Sequence, residues 1–353
     1  MEELLREAVR LVASDLHIVV GVPPVFRVDG RLTQKDSMVL TDSDTKRFFL
    51  EITNEKQQRY FEDEGEIDFP FVLEGVSRFR VNVFRQRGSV AIAVRVISES
   101  VPSIQELKLP LTLQKLAENP RGLVLVTGPT GSGKSTTLAA MIRYINEKRA
   151  CYILTLEDPI EYLHSHNKSI ISQREVHTDT KTFGNALRAA LREDPDVILV
   201  GEMRDHETMA TAITAAETGH LVFATLHTSS AAQTVDRIVD SFPAYQQNQI
   251  KAQLSVTLQG IISQQLLPKA KKKGRVAALE ILVANPAIRN LIRDGKTNQL
   301  NSSIQGGFYL GMQTMDTALR DLVRGDVVAY EDALDRAFNA EQFVNLVSCK
   351  DKE

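Results

Sequence analysis

Residues 128 to 135 read GPTGSGKS, an instance of GxxxxGK[ST]. These residue types at this spacing suit one task, the cradling of phosphate. The glycines let backbone N–H groups turn inward around phosphate oxygens, Lys134 can reach the β and γ phosphates of a nucleotide, and the Ser135 hydroxyl is a ligand for Mg2+. Flanking sequence supplies the context the pattern needs, since the apolar run LVLVT precedes it and the helical run TTLAAMIRYI follows it. Gly128, Pro129, Thr130, Gly131, Ser132, Gly133, Lys134, Ser135 and Thr136 are therefore the expected nucleotide-binding residues.

Nucleotide kinases, GTPases, helicases and motors all own such a cradle, so the ends of the other strands must decide. The strand ILTLE runs into EDPIEY, which places Glu157, Asp158 and Glu161 at one terminus, where Pro159 turns the chain out of the sheet. VILVGE ends in Glu202, at the point where a P-loop enzyme puts the acid that holds Mg2+ or its water. TGHLVFATLHT carries His220 before its strand and His227 at its end. All these side chains are expected to converge on one edge of the sheet, with the γ-phosphate among them. His164 and His166 have a spacing that could bind a metal, but no third ligand stands beside them, and they read as loop residues.

Two kinds of element must position this chemistry. Leu4, Leu5, Ala8, Val9, Leu11 and Val12 have helical spacing, and behind them come two hairpins, the first turning at Asp29-Gly30. In the second, Phe79, Val81 and Val83 alternate with Arg78, Arg80 and Asn82, and Arg95 lies on the polar side of the partner strand. Residues 98 to 110, with two prolines and no strong periodicity, are the expected linker. Beyond it the strands 123–127, 153–156, 197–200 and 221–225 alternate with amphipathic helical segments, which predicts α/β architecture with a largely parallel sheet. From about Ile250 to Phe343 the apolar spacing predicts helices, including one over 254–267. The organisation expected is a first domain over 1–99, a linker over 100–110 and a second domain over 111–353.

Composition narrows the classes further. The 353 residues carry 42 Lys and Arg against 45 Asp and Glu, a net charge of -3, so no global basic field holds nucleic acid or anionic lipid. Two cysteines, Cys151 and Cys349, are too few for a disulfide framework or a four-thiolate zinc site, and they fit a reducing compartment. No apolar run approaches the length of a membrane span, and the acidic start is unlike a signal peptide. The chain is read as cytoplasmic.

GPTGSGKSTTLAAMI, LEDPIEY, DVILVGEMRD, TAAETGHLVFATLHT, AIRNLIR and GMQTMD together resemble the type IV pilus retraction ATPases of the secretion ATPase superfamily. The likeness covers nearly the whole chain, although Met315 stands where the family pattern has Phe. It implies a PAS-like α+β domain followed by a RecA-like P-loop ATPase domain with a C-terminal helical part. It further implies ATP and Mg2+ as ligands, a homohexamer, and action through the inner-membrane pilus platform protein, and so indirectly on pilin, from the cytoplasmic side of that membrane.

Residue by residue, the resemblance makes 128–135 the Walker A motif and 157–161 the Asp box, with Glu161 orienting or deprotonating water. Glu202 becomes the Walker B acid, acting on Mg2+ through water, and His220 and His227 the sensors of the γ-phosphate. Arg78, Arg80 and Arg95 would reach nucleotide phosphates when domains close. Ala287, Ile288, Arg289, Asn290, Leu291, Ile292 and Arg293 form a helix serving retraction; by spacing, Arg289 and Arg293 share an exposed face suited to an acidic or carbonyl-bearing partner. A nucleic-acid translocase is the alternative, because KAKKKGR at 269–275 is locally basic. Against it, no aromatic stacking series accompanies the lysines, and no nucleic-acid partner is expected.

Overall fold

The computed structural model describes residues 1–28, 30–35, 38–97, 100–271 and 274–348. Contacts divide the chain into two units, one of Met1–Ser100 with Glu161–Leu163 and one of Val101–Ile160 with His164–Glu353.

The first unit is an antiparallel sheet with helices. Its strands are β1 (Asp15–Ile18), β2 (Val25–Val28), β3 (Arg31–Gln34), β4 (Glu66–Leu73), β5 (Ser77–Gln86) and β6 (Ser89–Val96), in the order β3-β2-β1-β6-β5-β4. Helices α1 (Glu2–Arg10), α2 (Asp42–Ile52) and α3 (Glu55–Glu64) supply Leu5, Phe49, Ile52 and Phe61 to a core completed by Phe79, Val81 and Val83 of β5. Alternation along β5 leaves Arg78 and Arg80 on the other face, as period-2 geometry demands. Gly30 has φ +77°, the left-handed conformation a tight hairpin turn requires; its neighbour Asp29 lies outside the described residues.

The second unit is a seven-stranded sheet ordered β13-β12-β7-β11-β10-β8-β9. The strands are β7 (Gly122–Thr127), β8 (Tyr152–Glu157), β9 (Ile170–Glu175), β10 (Val197–Val200), β11 (Leu221–Leu226), β12 (Leu258–Pro268) and β13 (Arg275–Val283). All pairings are parallel except that of β12 with β13. Every residue of β7, β10 and β11 is buried, because helices cover both faces of the sheet. Those helices are α4 (Thr112–Ala117), α5 (Lys134–Lys148), α6 (Phe183–Ala190), α7 (His206–Glu217), α8 (Ala231–Asp240), α9 (Ala244–Thr257), α10 (Pro286–Arg293), α11 (Leu300–Gly306), α12 (Met315–Arg324), α13 (Tyr330–Leu334) and α14 (Ala340–Ser348).

Two expectations are corrected here. The stretch 100–110 is not a free linker: from Val101 onward it folds as turns on the second unit, burying Ile104 and Leu109, and Arg143 donates to the Val101 carbonyl at 2.6 Å. Nor is the region after 250 helical throughout, for α9 ends at Thr257 and β12 and β13 follow. Leu254, Leu258, Ile261 and Ile262 have helical spacing, yet a strand buried on both faces has no alternation to betray it, so periodicity alone misleads. The short edge strand β9 was not expected; its residues Ser172, Gln173, Arg174 and Glu175 give it a polar sequence with no apolar run.

Candidate nucleotide site

The P-loop connects β7 to α5. Gly128, Gly131 and Gly133 have φ of +141°, +78° and +88°, angles that a residue bearing Cβ rarely adopts. At Gly128 a Cβ would also lie 2.3 Å from the Gln264 carbonyl oxygen, so close approach by β12 excludes any other residue there. Lys134 Nζ donates to the carbonyls of Gly128 at 2.8 Å and Pro129 at 3.2 Å, which folds the ammonium back over the loop.

Gln264 is a residue the sequence reasoning missed. It is 2% exposed; its amide donates to the Ser132 carbonyl and its amide oxygen accepts from Thr137 Oγ1, both at 2.7 Å. One side chain of β12 thus clamps the loop to the first turns of α5. Beside it, Thr127 Oγ1 and Ser263 Oγ lie 2.9 Å apart in the core. Ser132 Oγ is buried and has no protein partner. An orphaned hydroxyl buried in a glycine-built loop is a group that a phosphate oxygen would satisfy.

Register places the other strand ends. Leu226 of β11 pairs with Thr127, so His227 stands level with Gly128; Val200 of β10 pairs with Leu156, so Gly201 stands level with Glu157. A Cβ on Gly201 would lie 3.0 Å from the Leu156 carbonyl oxygen, which explains the glycine ahead of Glu202. His227 Nε2 is 3.2 Å from Glu202 Oε1, and Arg204 Nη2 is 2.9 Å from Glu202 Oε2. Burial pushes the Glu202 carboxyl up, but hydrogen bonds and charge from Arg204 and His227 outweigh it and hold the group below the ordinary carboxylate value. Arg204, also unforeseen, is held charged by Glu202 and feels Asp158 as well. At the end of β8, Glu157 Oε1 accepts from Thr155 Oγ1 at 2.6 Å and from Gln173 at 3.1 Å. The Ile160 amide is held by Glu175, and Glu161 follows as an exposed residue grouped with the first unit.

His220 is not brought to the P-loop end of the sheet. His220 precedes β11, where its carbonyl accepts from Gly122, the first residue of β7. It therefore lies at the opposite edge of the sheet from the P-loop, roughly 20 Å along the strand from His227. There its Nδ1 is 3.0 Å from the Ala215 carbonyl oxygen. Two residues seven positions apart across a fully extended strand cannot share one end of it.

Two candidate arginines of the first unit, Arg80 and Arg95, are locally paired. Arg80 faces Arg95 directly across β5 and β6. Asp68 lies 3.3 Å from Arg80 and Asp15 lies 3.0 Å from Arg95, offsetting the like charges. Asp15, Asp68, Arg80, Asn82 and Arg95 line a depression of about 310 Å³.

Arg289 is not on a shared exposed face with Arg293. Its guanidinium is half-buried and donates to the carbonyls of Ser255 and Val256, each at 2.8 Å, and to Gln259 at 3.2 Å, capping the end of α9. Arg293 is exposed and bonds to Asn290. Asn285 accepts from the Ile288 amide and Pro286 opens the helix, while Ile288 and Ile292 are buried beneath it.

The remaining histidine and lysine features carry local duties. His166 Nδ1 accepts from the Ile171 amide, and burial pushes His164 down to about 4. Among the described residues no cluster of three metal-ligating side chains occurs. In the basic run, Lys271 pairs with Asp326, while Lys272 and Lys273 lie outside the described residues, as does Cys349. No described helix is long and apolar enough to cross a membrane.

Residues 1–327 match the family model described as type II/IV secretion system protein. A twitching motility protein of Neisseria gonorrhoeae is 54% identical over 318 residues, spanning 90% of this chain and 85% of its own. The type IV pilus retraction ATPase PilT of Pseudomonas aeruginosa is 50% identical over 341 residues, spanning 97% and 99%. Among solved structures, the pilus retraction motor PilT with bound ADP superposes with a TM-score of 0.90 at 51% identity, covering 97% of this chain and 98% of the other.

Proposed function

Because the chain belongs to the type II/IV secretion system protein family, we propose that it is an ATP-hydrolysing motor that powers type IV pilus retraction, the motion behind twitching. The observation that carries this reading is the constellation at one sheet edge: a glycine-built phosphate loop with Lys134, beside a Glu202 kept ionised by Arg204 and His227.

Lys134 and the loop amides hold the β and γ phosphates, and the Ser135 hydroxyl, with the Glu202 carboxylate acting through water, offers hard-oxygen donors suited to Mg2+. When bound there, Mg2+ neutralises charge on the phosphate oxygens. Glu161 orients or deprotonates the attacking water. His227 reads the γ-phosphate, and its contact with Glu202 makes any pull on the histidine a pull on the carboxylate. His220 has no such part at the site of its own subunit, since a whole strand separates it from the P-loop. Arg78, Arg80 and Arg95 complete the charge stabilisation, Arg80 once released from Asp68 and Arg95 once released from Asp15, an effect that can reach about 10^3 to 10^5 in rate for an arginine meeting a transferring phosphoryl group.

At the level of assembly the reading is a homohexamer at the cytoplasmic face of the inner membrane, pulling on the platform protein and so on pilin. The first unit is its PAS-like domain, and 287–293 its retraction helix. The test is phosphate release by purified protein across protein concentration. Specific activity should rise as rings assemble, and Lys134→Ala or Glu202→Ala should abolish it. Wild-type turnover in Lys134→Ala would overturn the assignment.

A further inference from the structure

Glu280 sits on β13 opposite Ser263, 3% exposed, where an apolar side chain would pack without the cost of burying a carboxyl. One of its oxygens accepts the backbone N–H of Ala231, the first residue of α8, at 2.7 Å, and the amide of Met315, the first residue of α12, also favours its charged form. It is thus bonded to the N-terminus of α8 and lies near that of α12, two helix ends that each carry positive partial charge. Each helix leads somewhere functional. Ala231 comes four residues after His227, and the intervening loop is closed on α8 by Thr228 Oγ1 and Thr234 Oγ1, 2.7 Å apart. On the other side Asp316, the second residue of α12, accepts the amides of Phe338 and Asn339, which lead into α14. Gln313 seats the segment ahead of α12 on the backbone of Leu279 and Ile281, the two neighbours of Glu280.

We propose that Glu280 is a positioning residue through which the C-terminal helices α12 to α14 set the place of His227, and so of Glu202, and with it the rate of hydrolysis. The inference rests on the ATPase reading above and deepens it. It requires that kcat and not ATP affinity depend on Glu280, because the phosphate loop is held separately by Gln264.

The test is steady-state phosphate release by full-length Glu280→Ala and Glu280→Gln. Displacements of about 1 Å can cost about 100-fold in rate, so the alanine variant should lose about tenfold or more in kcat with KM for ATP nearly unchanged. The glutamine variant, which keeps an oxygen for the Ala231 amide, should lie between it and wild type. A Glu280→Ala kcat equal to wild type, or a KM that rises in step with the fall in kcat, overturns the proposal. Should both variants fail to fold, Thr234→Val decides: this near-isosteric change cuts the same link at the hydroxyl pair, and an unaltered kcat there counts against the idea. Wild-type protein without turnover would remove the ATPase reading and this one together, whereas active wild type with unaffected variants removes this one alone.

Discussion

At Gln264 a single amide does what no charged or apolar residue can: it donates to one carbonyl and accepts from one hydroxyl in a dry site. Gln264→Leu should leave Ser132 and Thr137 unpaired, costing about 1–3 kcal/mol in a urea unfolding series, and should raise KM for ATP as the loop loosens. An unfolding midpoint equal to wild type would contradict the clamp. Arg204 calls for a different measurement. It holds the Glu202 carboxyl low, so in Arg204→Ala that carboxyl should take up its proton at higher pH, and the acidic limb of the pH–rate profile should move upward. A limb at the same pH would exclude Arg204 from the site's electrostatics. Lys134, Ser135 and Glu202 were legible because a local motif declares them. Gln264 and Arg204 were not, since the first is recruited from a strand distant in sequence and the second acts through a neighbour's proton affinity.

Among elements, α10 shows how a motif can be sound in outline and misread in orientation. Its cap, its proline and its buried stripe follow from sequence, but the spacing of Arg289 and Arg293 could not reveal that α9 ends beneath one of them. Arg289→Ala should therefore lower stability by about 1–2 kcal/mol, the scale of a lost charged hydrogen bond at a helix terminus, visible in thermal melts, while much of the phosphate release survives. Arg293→Ala should stay within about 0.5 kcal/mol; equal losses for the two would refute the capping role. The strands of the parallel sheet were readable from short apolar runs between helical segments. β12 was not, because burial on both faces removes the alternation that marks a strand, and its Gln264 and Gly260 make sense only against the P-loop and against Leu116 and Leu282.

For the molecule as a whole, the near-neutral charge conceals one acid whose titration reaches the global stability. Burial first, and then Asp316, push Glu280 up to about 7, against the pull of the Ala231 hydrogen bond and of the Met315 amide. A carboxyl raised in the folded state contributes most below its unfolded value and loses that contribution as pH climbs through the folded one. Thus the melting temperature of wild type relative to Glu280→Gln should fall between about pH 5 and pH 8; a difference constant over that range would show that Glu280 does not titrate there. The α/β character of the second unit could be read from pattern, yet the folding of 101–110 onto that unit could not, because three buried side chains spaced among prolines look like a linker until their pocket is known. The order in which the second unit is made has its own consequence. Thr137 and the glutamine that clamps it are separated by 127 residues. A ribosome that has released the P-loop and α5 has made the motif without the site, and nucleotide can favour folding only after β12 emerges, so the growing chain must survive most of its synthesis without that help.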